Sequence, residues 1–249
     1  MNILDHINIA GVKVHRASAN LAAFWVLKRL KAGKRTKETP VNAAVVVAAS
    51  RDPVFKRILQ DFDLSIADGL WAALAASFLS KSRVPHANTS PFLRALFQQS
   101  SADGLRVFLL GARSEVVKQA AANLKNYHPN AKVVGYTDGY FKPHDEKGIV
   151  DLINKSEAQV LLLGISSPKK EYFVIDNWED LNVPLSVGVG GQFDIWGGNI
   201  KEAPDWARKS GFEWLFRVCQ EPVRLWKRYS ITNFRFILLV VREALNNHI

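Results

Sequence analysis

Between residues 105 and 191 the chain repeats one pattern: a short apolar run ending in glycine or a small polar residue, then a longer stretch with helical periodicity. LRVFLLG, AKVVGY, AQVLLLG and PLSVGVG read as strands; SEVVKQAAANLKNY, DEKGIVDLINKS and SPKKEYFVIDNWEDL read as the helices between them. Unbroken apolar runs suit strands buried on both faces, and a helix between two such strands returns the chain in parallel. The expected fold class is therefore α/β, a mainly parallel sheet with helices on both faces. Sheets of this kind bind ligands beyond the carboxyl ends of their strands.

The first hundred residues follow the pattern less clearly. INIAGVKVH (7–15) alternates like a half-buried strand, and SANLAAFWVLKRLKAG (18–33) reads as a helix ending at Gly33. KRTKETP reads as a basic, polar connector. VNAAVVVAASRDPVFKRILQDF supports two readings: a strand from its valines, or helices capped by Asn42 and started by Asp52-Pro53. DLSIADG reads as a strand and turn, LWAALAASFL as an apolar helix, and SPFLRALFQQS as a further helix. Beyond about residue 204 the text becomes basic, aromatic helix to the end. The expected division is a core over 1–200 and a helical appendage over 201–249.

Charge narrows the partners. Thirty-three Lys and Arg against 23 Asp and Glu give a net charge of +10, which favours anionic ligands or surfaces. The single cysteine, Cys219, cannot form an internal disulfide, which fits a reducing cytoplasm. Asp5 and His6 stand where a signal peptide needs an apolar run, so export is not expected. FILLVV (236–241), like the other apolar runs, is far below the ~20 residues that span a bilayer.

The predicted strand ends hold the candidate chemistry. Asp68-Gly69, Gly111, Asp138-Gly139, Gly164 with Ser166-Ser167, and Gly188, Gly190 and Gly191 all fall there. Any one fits a tight turn; together, at one edge of one sheet, they point to a nucleotide-type ligand approached by backbone N–H groups. No GxGxxG follows a strand. The six histidines lack zinc spacing, GISSP is not a GxSxG elbow, and Asp61-Phe62-Asp63 reads as a solvated helix end rather than a metal site.

GFEWLFRVCQEPVRLWKRY (211–229) interleaves Trp214, Phe216, Trp226 and Tyr229 with Arg217, Arg224, Lys227 and Arg228. Basic residues at 217, 224, 228, 235 and 242 share one helical face, broken at Pro222. Two readings stand: a terminal helix packed on the core with a solvated basic face, or a segment lying at an anionic membrane surface. A nucleic-acid interface would also use basic residues, but no recognition motif accompanies them.

ADGLW, DGYF, GISSPKKEYF and GVGGQFDIWGGNIKEAPDWARKSGFEWLFRVCQEPVRLWKRY, in this order and spacing, resemble the WecG/TagA/CpsF glycosyltransferase family. The resemblance runs from the first strand to about Tyr229. It implies a Rossmann-like core and inverting, metal-independent transfer of a hexose or N-acetylhexosamine from a UDP-sugar. The implied acceptor is a saccharide on polyprenyl (undecaprenyl) diphosphate, at the cytoplasmic face of the membrane, for surface or exopolysaccharide synthesis. It further implies self-association through the core, contact with the membrane through the C-terminal appendage, and no cofactor. By the same resemblance Asp68 is the general base. The nucleotide–sugar pocket draws on Thr39, Asn42, Gly111, Tyr140, Ser167, Lys170, Glu171, Gly190, Gly191, Gln192 and Asp194. Arg217, Arg224, Lys227 and Arg228 meet the diphosphates and the membrane.

The sequence departs from the family pattern at four positions: Ser166 for Gly, Lys170 for Gln, Glu202 for Arg and Asn88 for Asp. Where these touch sugar or phosphate, they imply a changed donor or acceptor. The runner-up expectation is a non-catalytic, membrane-associated assembly partner that keeps the fold.

Overall fold

The computed structural model describes residues 4–204, 206–207, 213–220 and 222–246, with all side chains in these ranges except those of 214, 217 and 223–229. Its strands form one eight-stranded sheet. A hairpin, β1 (His6–Ile9) and β2 (Val12–His15), turns at Ala10-Gly11. The others are β3 (Thr36–Val41), β4 (Leu64–Ala67), β5 (Leu105–Gly111), β6 (Ala131–Thr137), β7 (Val160–Gly164) and β8 (Leu185–Gly188). Their order is β1-β2-β4-β3-β8-β7-β5-β6, and every pairing except β1–β2 is parallel. The expected α/β class holds.

Local chemistry sets the helix starts. Ser18 caps α1 (Ala19–Lys31), Asn42 caps α2 (Ala43–Ala49), and Asp52, followed by Pro53, caps α3 (Pro53–Gln60). The valine run is thus helix rather than strand: the Asn42 carboxamide accepts from the N–H groups of Ala44 and Val45. Next come α4 (Leu70–Ser80), α5 (Thr89–Gln99), α6 (Ser114–Tyr127), α7 (Glu146–Lys155), α8 (Lys169–Asp176) and α9 (Gln192–Trp196). Two C-terminal helices follow, α10 (Glu213–Gln220) and α11 (Pro222–Asn246).

The connector reading of KRTKETP is corrected: Thr36–Val41 is a central strand, paired with β4 on one side and β8 on the other. Its charges are absorbed individually. The Lys37 ammonium lies 5.1 Å from the Trp178 ring centre, beside the Arg35 guanidinium at 4.1 Å. The Lys37 N–H donates to Asp63 Oδ2 at 2.8 Å, and Asp63 pairs with Arg29 at 3.0 Å. Asp63 therefore fastens the starts of β3 and β4, while exposed Asp61 ends α3, as the helix-end reading expects.

Three apolar clusters fill the two faces. On one face α1, α5, α6 and α9 pack over Leu64, Ile66, Leu109, Leu162 and Val187. On the other, α2, α3 and α4 join the hairpin, with Phe236 and Val240 of α11 added, while α7 and α8 cover Phe108, Leu161 and Leu163. Strand β3 therefore sends its helix, α2, to one face, and its neighbour β8 sends α9 to the opposite face. Such a divergence opens a crevice at the carboxyl edge.

The far side of that edge is built from bare backbone. Gly111 has φ +145°, and a Cβ placed on it would lie 2.4 Å from the carbonyl carbon of Gly164. Gly111→Ala should cost about 2–3 kcal/mol through backbone strain and overpacking. Thermal unfolding is expected to show a midpoint lower by roughly 5–10 °C.

Candidate active site

Four strand ends meet at the crevice, β4, β3, β8 and β7. Asp68 follows β4. Its N–H donates to the Val41 carbonyl at 2.9 Å, which locks the β4 exit to β3. Its Oδ1 accepts from both the N–H and the hydroxyl of Thr89, at 3.2 and 3.3 Å, so the start of α5 fixes the carboxylate's orientation. Among the described residues Oδ2 has no hydrogen-bond donor. Gly69, with φ +94°, lets the chain turn immediately after Asp68 into α4, and its N–H donates to Asn88 Oδ1 at 2.8 Å.

Asn88 joins two parts of the molecule. Besides accepting from Gly69, its Nδ2 donates to Glu213 Oε2 of α10 at 3.0 Å. A carboxylate here could not donate, and would face Glu213 with like charge. The departure to Asn88 is thus matched by the residue opposite it. Glu202 likewise accepts from Ser90 Oγ at 3.3 Å and lies 3.9 Å from the Arg94 guanidinium.

Beneath the crevice lies a buried polar network. Glu171 is 0% exposed, and its Oε1 accepts from Thr39 Oγ1 at 3.0 Å and Ser167 Oγ at 2.8 Å, and pairs with the Lys170 ammonium. Lys170 also donates to Ser167 Oγ. Its methylene stem runs over Gly188, where a Cβ would come within 2.6 Å of Lys170 Cε. Glu38 on β3, 1% exposed, accepts the Gly188 N–H at 3.1 Å. Burial pushes the Glu38 pKa well above the ordinary carboxylate range; nearby Asp68 and Glu171 raise it further, against the opposing pull of Lys170 and the Gly188 hydrogen bond. Three residues assigned to the nucleotide–sugar pocket, Thr39, Lys170 and Glu171, are therefore buried and bonded to one another, with Ser167 at their edge. They set the shape of the strand ends from below.

The remaining assigned residues sit around this base. The Asn42 side chain accepts at the start of α2, leaving Nδ2 without a partner among the described residues. Gly190 has φ +52° with open space where a Cβ would be, whereas Gln192, opening α9, is buried. The Asp194 carbonyl accepts from the Asn199 and Ile200 N–H groups and closes the loop after α9. Gly111 abuts Gly164 at the β5–β7 border. Tyr140, 75% exposed, stands past the end of β6 on a turn held by Asp138, further along the edge from Asp68. The side chains of Arg217, Arg224, Lys227 and Arg228 lie outside the described residues. Among the described residues no three His, Cys, Asp or Glu side chains converge in a way that could hold a metal ion.

Sequence reasoning missed Glu38 and Thr89. Glu38 was hidden in a stretch read as solvated. Thr89 lies 21 residues from Asp68 and meets it only because α5 begins beside the β4 exit.

The family model for the glycosyl transferase WecG/TagA/CpsF family matches residues 7–249. The chain belongs to this family. As a WecG/TagA/CpsF glycosyltransferase it is a transferase of cell-surface polysaccharide synthesis. Among the described residues no helix is long and apolar enough to cross a membrane.

Two substitutions test the buried network. Lys170→Met leaves the Glu171 carboxylate buried without its cation and should destabilise the fold by about 3 kcal/mol or more, read from denaturant unfolding. Glu38→Gln keeps an acceptor for the Gly188 N–H. A carboxyl group with a raised folded-state pKa contributes stability at low pH that is lost as pH rises above its unfolded value and toward its folded one. The melting temperature of Glu38→Gln relative to the parent should therefore increase from pH 4 to pH 8; a flat difference would mean Glu38 is not held protonated.

Proposed function

We propose that this chain is an inverting glycosyltransferase that moves a sugar from a UDP-sugar to a saccharide carried on polyprenyl diphosphate. Its place is the cytoplasmic face of the plasma membrane, in the assembly of a surface polysaccharide. The observation that carries the reading is the setting of Asp68: a carboxylate at a strand's carboxyl end, oriented through one oxygen by Thr89, beside a crevice where neighbouring strands send their helices to opposite faces.

The chemistry is a single displacement. The acceptor hydroxyl oxygen attacks the anomeric carbon of the donor from the side opposite the diphosphate, and a new glycosidic C–O bond forms. The bond from that carbon to the diphosphate oxygen breaks, and its electron pair leaves with UDP. Asp68 takes the hydroxyl proton as attack proceeds, through the oxygen that Thr89 does not occupy. The diphosphate gathers negative charge as it leaves, and fixed guanidinium groups are suited to meet it. Arg217, Arg224, Lys227 and Arg228, on α10 and α11, are assigned to this task and to the acceptor diphosphate. Asn42, Gly190 and Gly191 line the donor side, where backbone N–H groups and the Asn42 amide can approach sugar and phosphate oxygens. The buried Lys170–Glu171 pair holds the donor-side loops from beneath.

Asp68→Asn retains an acceptor for Thr89 but cannot take the proton. It should lower turnover by roughly 10²- to 10⁴-fold with unchanged circular dichroism. The assay is acceptor-dependent UDP release, with a panel of UDP-sugars offered alongside a short-chain polyprenyl-diphosphate saccharide. Turnover is expected to persist in EDTA. Ordinary activity in Asp68→Asn would remove this residue from the mechanism.

A further inference from the structure

Helix α11 is apolar on two opposite sides. Toward the core it places Phe236, 1% exposed, and Val240 against α2 and α4. On the far side Ile231, Phe234, Ile237, Leu238, Val241 and Leu245 are all exposed, Phe234 by 63%. At 100° per residue these six fall within about 120° of arc, one continuous outward stripe. A stripe that long and apolar on an amphipathic helix marks contact with another apolar phase.

The rim of the stripe carries charge. Arg235 and Arg242 flank it, one above the other, and face the turn between α2 and α3, where Arg51 stands. Together with Val47, Ser50 and Leu238 the three arginines line a groove of about 270 Å³. None of the three has a carboxylate within salt-bridge distance among the described residues. The nearby acids are engaged elsewhere: Asp52 caps α3, and Glu243 accepts the Ala10 N–H. Three unpaired guanidinium groups around one small groove repel one another unless an anion lies between them, and phosphate oxygens match their fork geometry.

We propose that this groove binds the phosphate of an anionic membrane lipid, seated there while the outward stripe of α11 enters the headgroup layer. The proposal rests on the membrane-face setting of the proposed function, but the site is separate from the crevice at Asp68. The phosphate is that of a lipid because the groove opens beside the exposed apolar stripe, so headgroup and acyl chains are met by adjoining surfaces. The phosphate bridges two parts of the molecule, since Arg51 belongs to the core and Arg235 and Arg242 to α11. It therefore fastens α11 onto α2. Helix α2 runs seven residues from Asn42 at the crevice toward this groove, about 10 Å, so contact with the lipid surface reaches the element that borders the donor side.

The test is co-sedimentation of the full chain with phosphatidylcholine vesicles, with and without phosphatidylglycerol. Arg51→Gln and Arg242→Gln should each weaken binding to the anionic vesicles about fivefold and leave binding to neutral ones unchanged. Leu238→Ser should weaken both. Thermal unfolding matched to the parent confirms that each variant is folded. Parent-like binding by both arginine variants would overturn the proposal. So would displacement from vesicles by inorganic phosphate beyond that of sodium chloride at equal ionic strength, which would make free phosphate the ligand. A dimer dissociated by Leu238→Ser, with no vesicle binding by the parent, would assign the stripe to a second copy and also overturn it. Turnover of the unaltered chain on a short-chain acceptor without vesicles is measured alongside. Its absence would sink the glycosyl-transfer reading and leave the vesicle comparison standing.

Discussion

One buried ammonium organises the carboxyl edge of this sheet. Lys170 can lie against β8 only because Gly188 has no side chain, and once there it needs an anion beside it. Glu171 supplies that anion, and the same oxygen gathers the hydroxyls of Thr39 and Ser167. A single carboxylate oxygen thus ties together β3, the loop after β7 and the first turn of α8. An apolar replacement of similar volume could be as stable, but it would have no directional hold on three separate backbones. The loops that border the crevice are fixed at their roots by this arrangement.

Electrostatics sets Glu38 apart from Glu171. One lysine cannot balance two interior carboxylates, and the one that accepts a backbone N–H from Gly188 is pushed well above its normal range by burial. The direction of that shift favours a neutral interior beneath a crevice bordered by the oriented carboxylate of Asp68. Charge is thereby concentrated where the proposed reaction moves a proton.

Much of the fold could be read from the chain because strands buried on both faces leave long apolar runs, as in LRVFLLG and AQVLLLG. The strand that could not be read was β3. Its text, TKETPV, looks solvated, but Lys37 rests on the Trp178 ring and buried Glu38 accepts the Gly188 N–H, and neither compensation has a local signature. The Asp68 position was legible since Asp-Gly after an apolar run is a turn at a strand end. Its orienting partner was not, because Thr89 meets it through packing of a distant helix. The same limit applies at the C-terminus: heptad spacing places Arg235 and Arg242 on one face, while Arg51 joins them only through the docking of α11 on α2.

The glycines at the β5, β6 and β7 ends have a consequence for how this scaffold diversifies. Gly111 presses on the backbone of Gly164, Gly164 lies against the Phe193 ring, and a Cβ on Gly139 would stand 3.0 Å from the Gly111 Cα. A side chain at Gly111 or Gly164 would force neighbouring atoms apart, so that corner leaves little room for substitution. Variation has more room in the exposed turn that carries Tyr140. A rigid corner beside an exposed turn allows one architecture to keep its strand ends fixed while the adjoining border changes.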